Sequence, residues 1–177
     1  WYTKQQADSM KKKGFQMTYE VKRGYRRVVA SPAPVKVENA SIIKKLLQHA
    51  LVIAVGGGGI PVIKKGKKFK GVSAVIDKDL AAARLAHDIG ADLLLILTGT
   101  NKVYLNYGKK NEQPLSTLTV KQARQYLAEG HFPEGSMGPK IQAAINFLQH
   151  RSRKVIITSP SSTSRALQGK DGTVITS

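Results

Sequence analysis

The chain has 177 residues and carries 29 lysine and arginine residues against 11 aspartate and glutamate residues, a formal charge of +18. Its 41% hydrophobic content is that of a globular domain and excludes an intrinsically disordered chain. The lack of cysteine excludes a disulfide scaffold and a cysteine-ligated zinc site. No apolar run approaches the roughly 18 residues of a membrane span, so we expect no membrane partner. The lack of cysteine fits the cytoplasmic location that we expect.

The positive charge is grouped in short runs, at residues 11–13, 22–27, 64–68 and 151–154. Such a field attracts polyanions, and nucleic acid is one interpretation. The interpretation that we favour is a set of solvated loops and helix faces. No zinc-finger, leucine-zipper or RNA-binding signature accompanies the runs.

The first half of the chain is predicted to contain a helix, a strand and a basic hairpin. Ser41 is predicted to open a helix with one apolar face, formed by Ile42, Ile43, Leu46 and Leu47. The apolar run 51–55 is predicted as a strand buried on both faces, leading into four glycines. Residues 60–71 are predicted as a basic hairpin.

The second half alternates helices and strands. A helix is predicted to begin at Asp77 and to end at Gly90, and a buried strand at 93–97 then leads into Thr98-Gly99-Thr100. Further elements follow in order: helices at about 119–129 and 135–149, a strand at 155–158, a short helix near Ala166 and a strand at 172–175. This alternation predicts a single α/β domain over residues 1–177, with an open, mainly parallel sheet in three layers and helices on both faces.

Three loops lie where ligands bind in open α/β sheets, after strands or at helix N-termini. The first is the glycine run Gly56, Gly57, Gly58 and Gly59. Its backbone can approach a phosphate closely, but a tight turn needs the same residues. The run matches neither the Walker pattern nor G-x-G-x-x-G.

The other two loops each place a lysine at the start of a helix. Asp77 is predicted as an N-cap, which puts Lys78 at the positive end of the helix dipole, where a bound anion would relieve the repulsion. A capping aspartate beside a solvated lysine explains the same residues. Residues 135–140 start the later helix, with Ser136 as its cap and Lys140 in its first turn. Two such lysines would clamp a phosphate chain and neutralise the charge of a transferring phosphoryl group.

Other chemistries find less support. The four histidines have no metal-ligand spacing, so no metal site made by the protein is predicted. No G-x-S-x-G motif marks a serine nucleophile. Asp77 and Asp79 point in different directions at a helix start, which disfavours a pair of glycosidase carboxylates.

Four segments, in order, resemble the carbamate kinases of the amino acid kinase family: Arg23–Pro32, Gly56–Val62, Asp77–Ala81 and Gly130–Lys140. The resemblance covers essentially the whole chain. The family's proteins are longer, so the resemblance implies that this chain is their C-terminal, nucleotide-binding portion. The N-terminal, acceptor-binding lobe is then expected to be absent, and with it part of the catalytic machinery.

The resemblance implies reversible phosphate transfer between ATP and carbamate, giving ADP and carbamoyl phosphate, at the end of arginine fermentation. Lys78 and Lys140 would contact the phosphates, Asp77 would orient these lysines, and Tyr107 would lie against the adenine. Mg²⁺ would bridge the β and γ phosphates, held mostly by nucleotide and water. A homodimer is also implied. The implied nucleotide-binding positions are Gly56, Gly57, Gly58, Gly59, Thr98, Gly99, Tyr107, Ser136, Met137 and Gly138.

Two alternatives stay open. In the first, the chain is a truncated, inactive half-kinase whose basic surface binds nucleic acid or another polyanion. In the second, it is a different amino acid kinase. The latter would act on glutamate, aspartate or a nucleoside monophosphate. The segments at 23–32 and 130–140 favour carbamate over these acceptors.

Overall fold

The computed structural model describes residues 1–21, 23–57, 59–150 (the main chain only at 150) and 153–177. The chain forms two compact units. One, here the basic unit, comprises Trp1–Pro32 and Ile60–Val75, and the other, here the sheet unit, comprises Ala33–Gly59 and Ile76–Ser177. The prediction of one domain across residues 1–177 stays a prediction.

In the part of the chain that the structure describes, the basic unit consists of one helix and two hairpins. Helix α1 spans Lys4–Lys12 and begins with a capping box, in which Thr3 and Gln6 exchange side-chain and backbone hydrogen bonds. Strands β1 (Gln16–Glu20) and β2 (Gly24–Val28) pair antiparallel, as do β3 (Val62–Lys65) and β4 (Lys68–Gly71). The second pair confirms the predicted basic hairpin. Of the described residues in this unit, Ala7 alone is buried.

The described residues of the sheet unit form five α-helices: α2 (Ala40–Leu46), α3 (Lys78–Ile89), α4 (Val120–Ala128), α5 (Met137–Phe147) and α6 (Thr163–Leu167). Two single-turn 3₁₀ helices lie at Leu148–His150 and Pro160–Ser162. Its strands are β5 (Leu93–Leu97), β6 (Val103–Leu105), β7 (Gln113–Leu115), β8 (Thr117–Thr119), β9 (Lys154–Thr158) and β10 (Thr173–Thr176).

Four of these strands form the central sheet, in the order β5-β9-β10-β8. Strand β5 runs parallel to β9, β10 runs antiparallel to β9, and β8 runs parallel to β10. Strands β6 and β7 form a separate antiparallel pair. The prediction of an α/β fold with a mainly parallel sheet is therefore confirmed.

The core of the sheet unit lies around α5. This helix is apolar on most of its circumference and buries Ile141, Ile145 and Phe147 completely, and Val155 and Ile157 of β9 are equally inaccessible. Helix α3 packs alongside α5 and ends at Gly90, which adopts the left-handed conformation (φ 81°) that favours glycine. Within the described residues, no helix combines the length and the apolarity required to span a membrane.

The prediction of a buried strand at 51–55 is wrong. Leu51 is 94% exposed and Ile53 is 92% exposed, and among the described residues no strand pairs with this segment. A strand buried on both faces requires hydrogen-bonded neighbours and covering layers, and composition alone supplies neither. The apolar face of α2 is likewise exposed at Ile42, Leu46 and Leu47, and this helix begins at Ala40 rather than at Ser41.

Candidate functional site

The start of α3 has the predicted cap. The Asp77 Oδ1 atom accepts hydrogen bonds from the backbone N–H groups of Asp79 (2.8 Å) and Leu80 (3.1 Å). These two bonds satisfy donors that the helix leaves without an internal partner. Lys78 is the first helical residue, and its side chain is 63% exposed.

The start of α5 is fixed by the chain that precedes it. The Pro133 carbonyl accepts hydrogen bonds from the N–H groups of Ser136 (3.1 Å) and Gly138 (2.9 Å). A Cβ atom on Gly138 would lie 3.1 Å from that carbonyl oxygen, which is tighter than an ordinary van der Waals contact, so the glycine permits this close approach of the backbone. Ser136 occupies the N-cap position as predicted, but its side chain makes no capping hydrogen bond.

A cluster of Lys78, Asp79 and Lys140 joins the two helix starts. The Lys140 Nζ atom lies 2.9 Å from Asp79 Oδ2, and the Lys78 Nζ atom lies 3.5 Å from the same oxygen. The Lys140 and Asp79 side chains are only 11% and 12% exposed. The Asp79 carboxylate therefore contacts both lysines. The Asp77 carboxylate is engaged by the backbone of α3, and the orienting role expected of it stays a prediction.

The electrostatics of this lysine–aspartate cluster favour an anion. Two ammonium groups share one carboxylate, which leaves one positive charge uncompensated within the cluster. The N-termini of α3 and α5 add the partial positive charge of two helix dipoles. Such a combination of helix starts and lysines is suited to phosphate groups.

A cavity of about 230 Å³ lies beyond the C-terminal end of β5. The rings of Tyr104 and Tyr107 pack against each other at its wall, with centroids 5.7 Å apart, and Phe132 is almost fully buried beneath it. Flat aromatic and apolar surfaces with a few hydroxyl groups are suited to a purine ring. The lining residues are Thr98, Gly99, Thr100, Tyr104, Tyr107, Phe132, Pro133, Ser136 and Met137.

The cavity and the lysine–aspartate cluster are connected through the first turn of α5. Met137 lines the cavity, and Lys140 follows three residues later in the same helix. Three residues correspond to about 4.5 Å along a helix axis. Five predicted positions therefore line one cavity next to the two predicted lysines: Thr98, Gly99, Tyr107, Ser136 and Met137.

The described part of the glycine run does not line the cavity. Gly56, Gly57 and Gly59 do not line the cavity, and an added Cβ atom on any of them would meet nothing within 4 Å. Gly58 lies outside the described residues. That the run borders phosphates stays a prediction. Gly138 does not line the cavity either, and its close contact is with Pro133.

The donor set does not suit a bare divalent cation. Among the residues with described positions, no three histidine, aspartate or glutamate side chains are grouped so that they could hold a metal ion. Asp79 is already shared by two lysines. A magnesium ion would fit here only if the phosphates of a nucleotide, and not protein side chains, supplied its ligands.

The sequence did not predict three features of the site: the contact of Asp79 with both lysines, and the positions of Tyr104 and Phe132 at the cavity. Tyr104 lies three positions before Tyr107, a spacing that carries no helical or strand signal here. Phe132 lies within the segment 130–140, but its burial depends on contacts with distant parts of the chain.

Comparisons with known proteins agree with this geometry. The model of the amino acid kinase family matches residues 3–159. The carbamate kinase-like protein YqeA of Escherichia coli (strain K12) is 48% identical over 177 residues, covering 99% of this chain and 57% of the relative. The carbamate kinase of Staphylococcus haemolyticus (strain JCSC1435) is 47% identical over 178 residues, covering 99% of this chain and 58% of the relative.

Solved structures give the same result. The carbamate kinase from Giardia lamblia bound to AMP-PNP has a TM-score of 0.89 and 41% identity, covering 99% of this chain and 57% of that one. A protein from Aeropyrum pernix K1 has a TM-score of 0.91 and 38% identity, with the same coverage. The chain thus spans less than three fifths of the length of these relatives, and it belongs to the amino acid kinase family.

Proposed function

We propose that this chain forms the nucleotide-binding part of a carbamate kinase, which transfers a phosphoryl group reversibly between ATP and carbamate. The observation that carries the proposal is the lysine–aspartate cluster, placed one helical turn from an aromatic cavity. The relatives' names supply the acceptor, and the AMP-PNP complex of the Giardia lamblia relative supports the nucleotide.

The cavity would receive the adenine. Tyr107 and Tyr104 offer ring faces for stacking. Met137, the first residue of α5, and Phe132, which precedes that helix, offer apolar contact. The hydroxyl groups of Thr98 and Thr100 lie at the end of β5 and would give polar contacts. With the base held there, the triphosphate would extend along the start of α5 toward Lys140.

The lysine–aspartate cluster would then act on the phosphates. An oxygen of carbamate attacks the γ phosphorus, and the bond from that phosphorus to the β–γ bridging oxygen breaks, which gives carbamoyl phosphate and ADP. Lys140 and Lys78 would neutralise the charge that develops on the transferring group. Asp79 would hold both ammonium groups in place before the nucleotide binds, and magnesium would arrive on the β and γ phosphates.

The acceptor site would lie in a part that the relatives possess and this chain does not match. The chain spans 57% of the length of the Escherichia coli relative. The exposed apolar run 51–55 and the exposed face of α2 support this proposal, because both offer surface that additional chain would cover. Carbamate binding, and turnover, would then require that additional part.

The resemblance extends the proposal to the biological setting. We propose a cytoplasmic homodimer that uses magnesium and operates in arginine fermentation, in the direction that forms ATP. These five points depend on the resemblance to carbamate kinases and on no contact within the chain.

Nucleotide binding is tested by thermal unfolding with ADP and magnesium. ADP at about a hundred times its Kd should raise the Tm by about 5–10 °C, which corresponds to about 2.7 kcal/mol. Lys140→Ala should abolish the rise. Lys78→Ala, at an exposed side chain that can be removed without unfolding, should reduce it. Lys110→Ala, at an exposed lysine of the sheet unit, is the matched control and should leave it unchanged.

An unchanged Tm for the parent chain in millimolar ADP would refute the nucleotide site. Turnover is tested separately, by fusing the N-terminal part of the Staphylococcus haemolyticus relative to this chain. The fusion should form ATP from ADP and carbamoyl phosphate, and the same fusion with Lys140→Ala should not. A fusion that binds ADP but is inactive would refute carbamate transfer and leave nucleotide binding standing.

A further inference from the structure

The charge of the molecule is concentrated in the basic unit. Its 48 residues contain 13 of the 29 lysine and arginine residues but only two of the 11 acidic residues, Asp8 and Glu20. The proposed kinase chemistry uses none of these cations. A solvated protein surface ordinarily intersperses both signs of charge, so this excess of one sign needs a separate explanation.

The most basic element of this unit is the ribbon formed by β3 and β4. It carries five lysines, and residues 60–75 contain no acidic residue. No ion pair of the described residues involves these lysines, and every residue of the two strands is exposed. The five are Lys64, Lys65, Lys67, Lys68 and Lys70.

The register of the ribbon places like charges together. Lys65 is the direct cross-strand partner of Lys68, next to the turn at Gly66 and Lys67. Like charges directly opposite each other destabilise an antiparallel pair. A bound polyanion would remove that repulsion, so the free ribbon is disfavoured relative to the bound one.

Lysines lie on both faces of the ribbon, three on one face and one on the other. The pairs Lys65–Lys68 and Ile63–Lys70 share the first face, and the pairs Lys64–Phe69 and Val62–Gly71 share the second. An anionic lipid surface would favour a second face that is wholly apolar, and Lys64 interrupts that face. A single-stranded polynucleotide would favour several exposed aromatic rings, and the ribbon offers only Phe69.

We propose that the β3–β4 ribbon is a binding surface for double-stranded DNA. The major groove of B-DNA, about 12 Å wide, admits a two-stranded β-ribbon and is bordered by phosphates on both sides. A ribbon with lysines on both faces is complementary in charge to such a groove. Lysines acting as point charges contact phosphates and read no base pattern, so binding is independent of sequence.

The test is fluorescence anisotropy of a labelled DNA duplex titrated with the full chain. With about four phosphate contacts, a fourfold rise in salt should weaken binding about a hundredfold. The double variant Lys65→Gln/Lys68→Gln should weaken binding about tenfold and should lower the salt dependence by about two contacts. Circular dichroism checks that the variant is folded.

The matched control is Lys109→Gln/Lys110→Gln, which removes the same charge from exposed positions of the sheet unit. This variant should change the Kd for the duplex by less than about twofold. Equal losses in both variants would overturn the proposal, because binding would then follow net charge alone. Tighter binding to the single strand of the same sequence, or to vesicles of phosphatidylglycerol and phosphatidylcholine, would also overturn it.

Discussion

The basic unit and the sheet unit are stabilised in different ways. The sheet unit buries a continuous apolar core around α5 and β9, whereas the basic unit buries only Ala7 among its described residues. The basic unit is held by hairpin hydrogen bonds, a capping box and contacts of cations with aromatic rings, such as Arg27 over Phe15 at 4.1 Å. Charge density is therefore highest where the core is smallest, and stability should depend mainly on the sheet unit.

The largest expected effect is a difference in stability when one phenylalanine of each unit is replaced by alanine. Phe147→Ala removes a fully buried ring and should lower the free energy of unfolding by about 3–5 kcal/mol. Phe69→Ala, at a ring that is 50% exposed in the basic unit, should change it by no more than about 0.5 kcal/mol. Urea unfolding of both variants measures the difference. Comparable losses would show that the basic unit contributes a core of its own.

A smaller effect tests the packing at the start of α5. Gly138→Ala places a Cβ atom 3.1 Å from the Pro133 carbonyl oxygen and should destabilise the sheet unit by about 1–3 kcal/mol. Gly135→Ala is the matched control, because a Cβ atom there meets nothing within 4 Å. Its stability should be unchanged or raised by up to about 1 kcal/mol. Thermal unfolding distinguishes the two, and a destabilised Gly135→Ala would contradict this account of the helix start.

The smallest effect compares one carboxylate from each unit. Although partial burial acts to raise the pKa of Asp88, hydrogen bonds from Arg84 and from the Val37 backbone N–H lower it below 3.8. This carboxylate therefore stabilises the fold above pH 3.8, and the contribution is lost as the pH falls below that value. Asp88→Asn should cost about 1–2 kcal/mol at pH 7 and progressively less in acid.

The counterpart in the basic unit is Glu20, whose ion pair with Arg26 is exposed. Glu20→Gln should change the free energy of unfolding by less than about 0.5 kcal/mol at pH 7. Denaturant unfolding at pH 7 and at pH 3 measures both variants. An Asp88→Asn loss that does not shrink in acid would contradict the assignment.

Local signals in the sequence located the helix starts well. The sequence Asp77-Lys78-Asp79 before an apolar stripe and Gly90 after it predicted α3, and the structure has the same cap and the same end. The capping box Thr3-x-x-Gln6 is an equally local signal, and α1 could have been found from it. Such features depend on residues within one turn, so they can be read without tertiary contacts.

Contacts between distant residues could not be read in this way. Asp79 and Lys140 are 61 positions apart, and only the packing of α3 against α5 brings their side chains together. The prediction of a buried strand at 51–55 was wrong for a related reason. Its composition is that of a buried strand, but burial depends on neighbours that the segment itself does not specify.

That same run has a consequence for the behaviour of this chain in solution when the additional part proposed to cover it is not attached. Leu51-Val52-Ile53-Ala54-Val55 is a β-prone segment without charge or proline, and its residues Leu51 and Ile53 are open to solvent, so it is suited to self-association between molecules. The net charge of +18 opposes such encounters by mutual repulsion. Physiological salt screens that repulsion beyond about 8 Å. Colloidal stability should therefore fall as salt is added, with the exposed run as the point of contact.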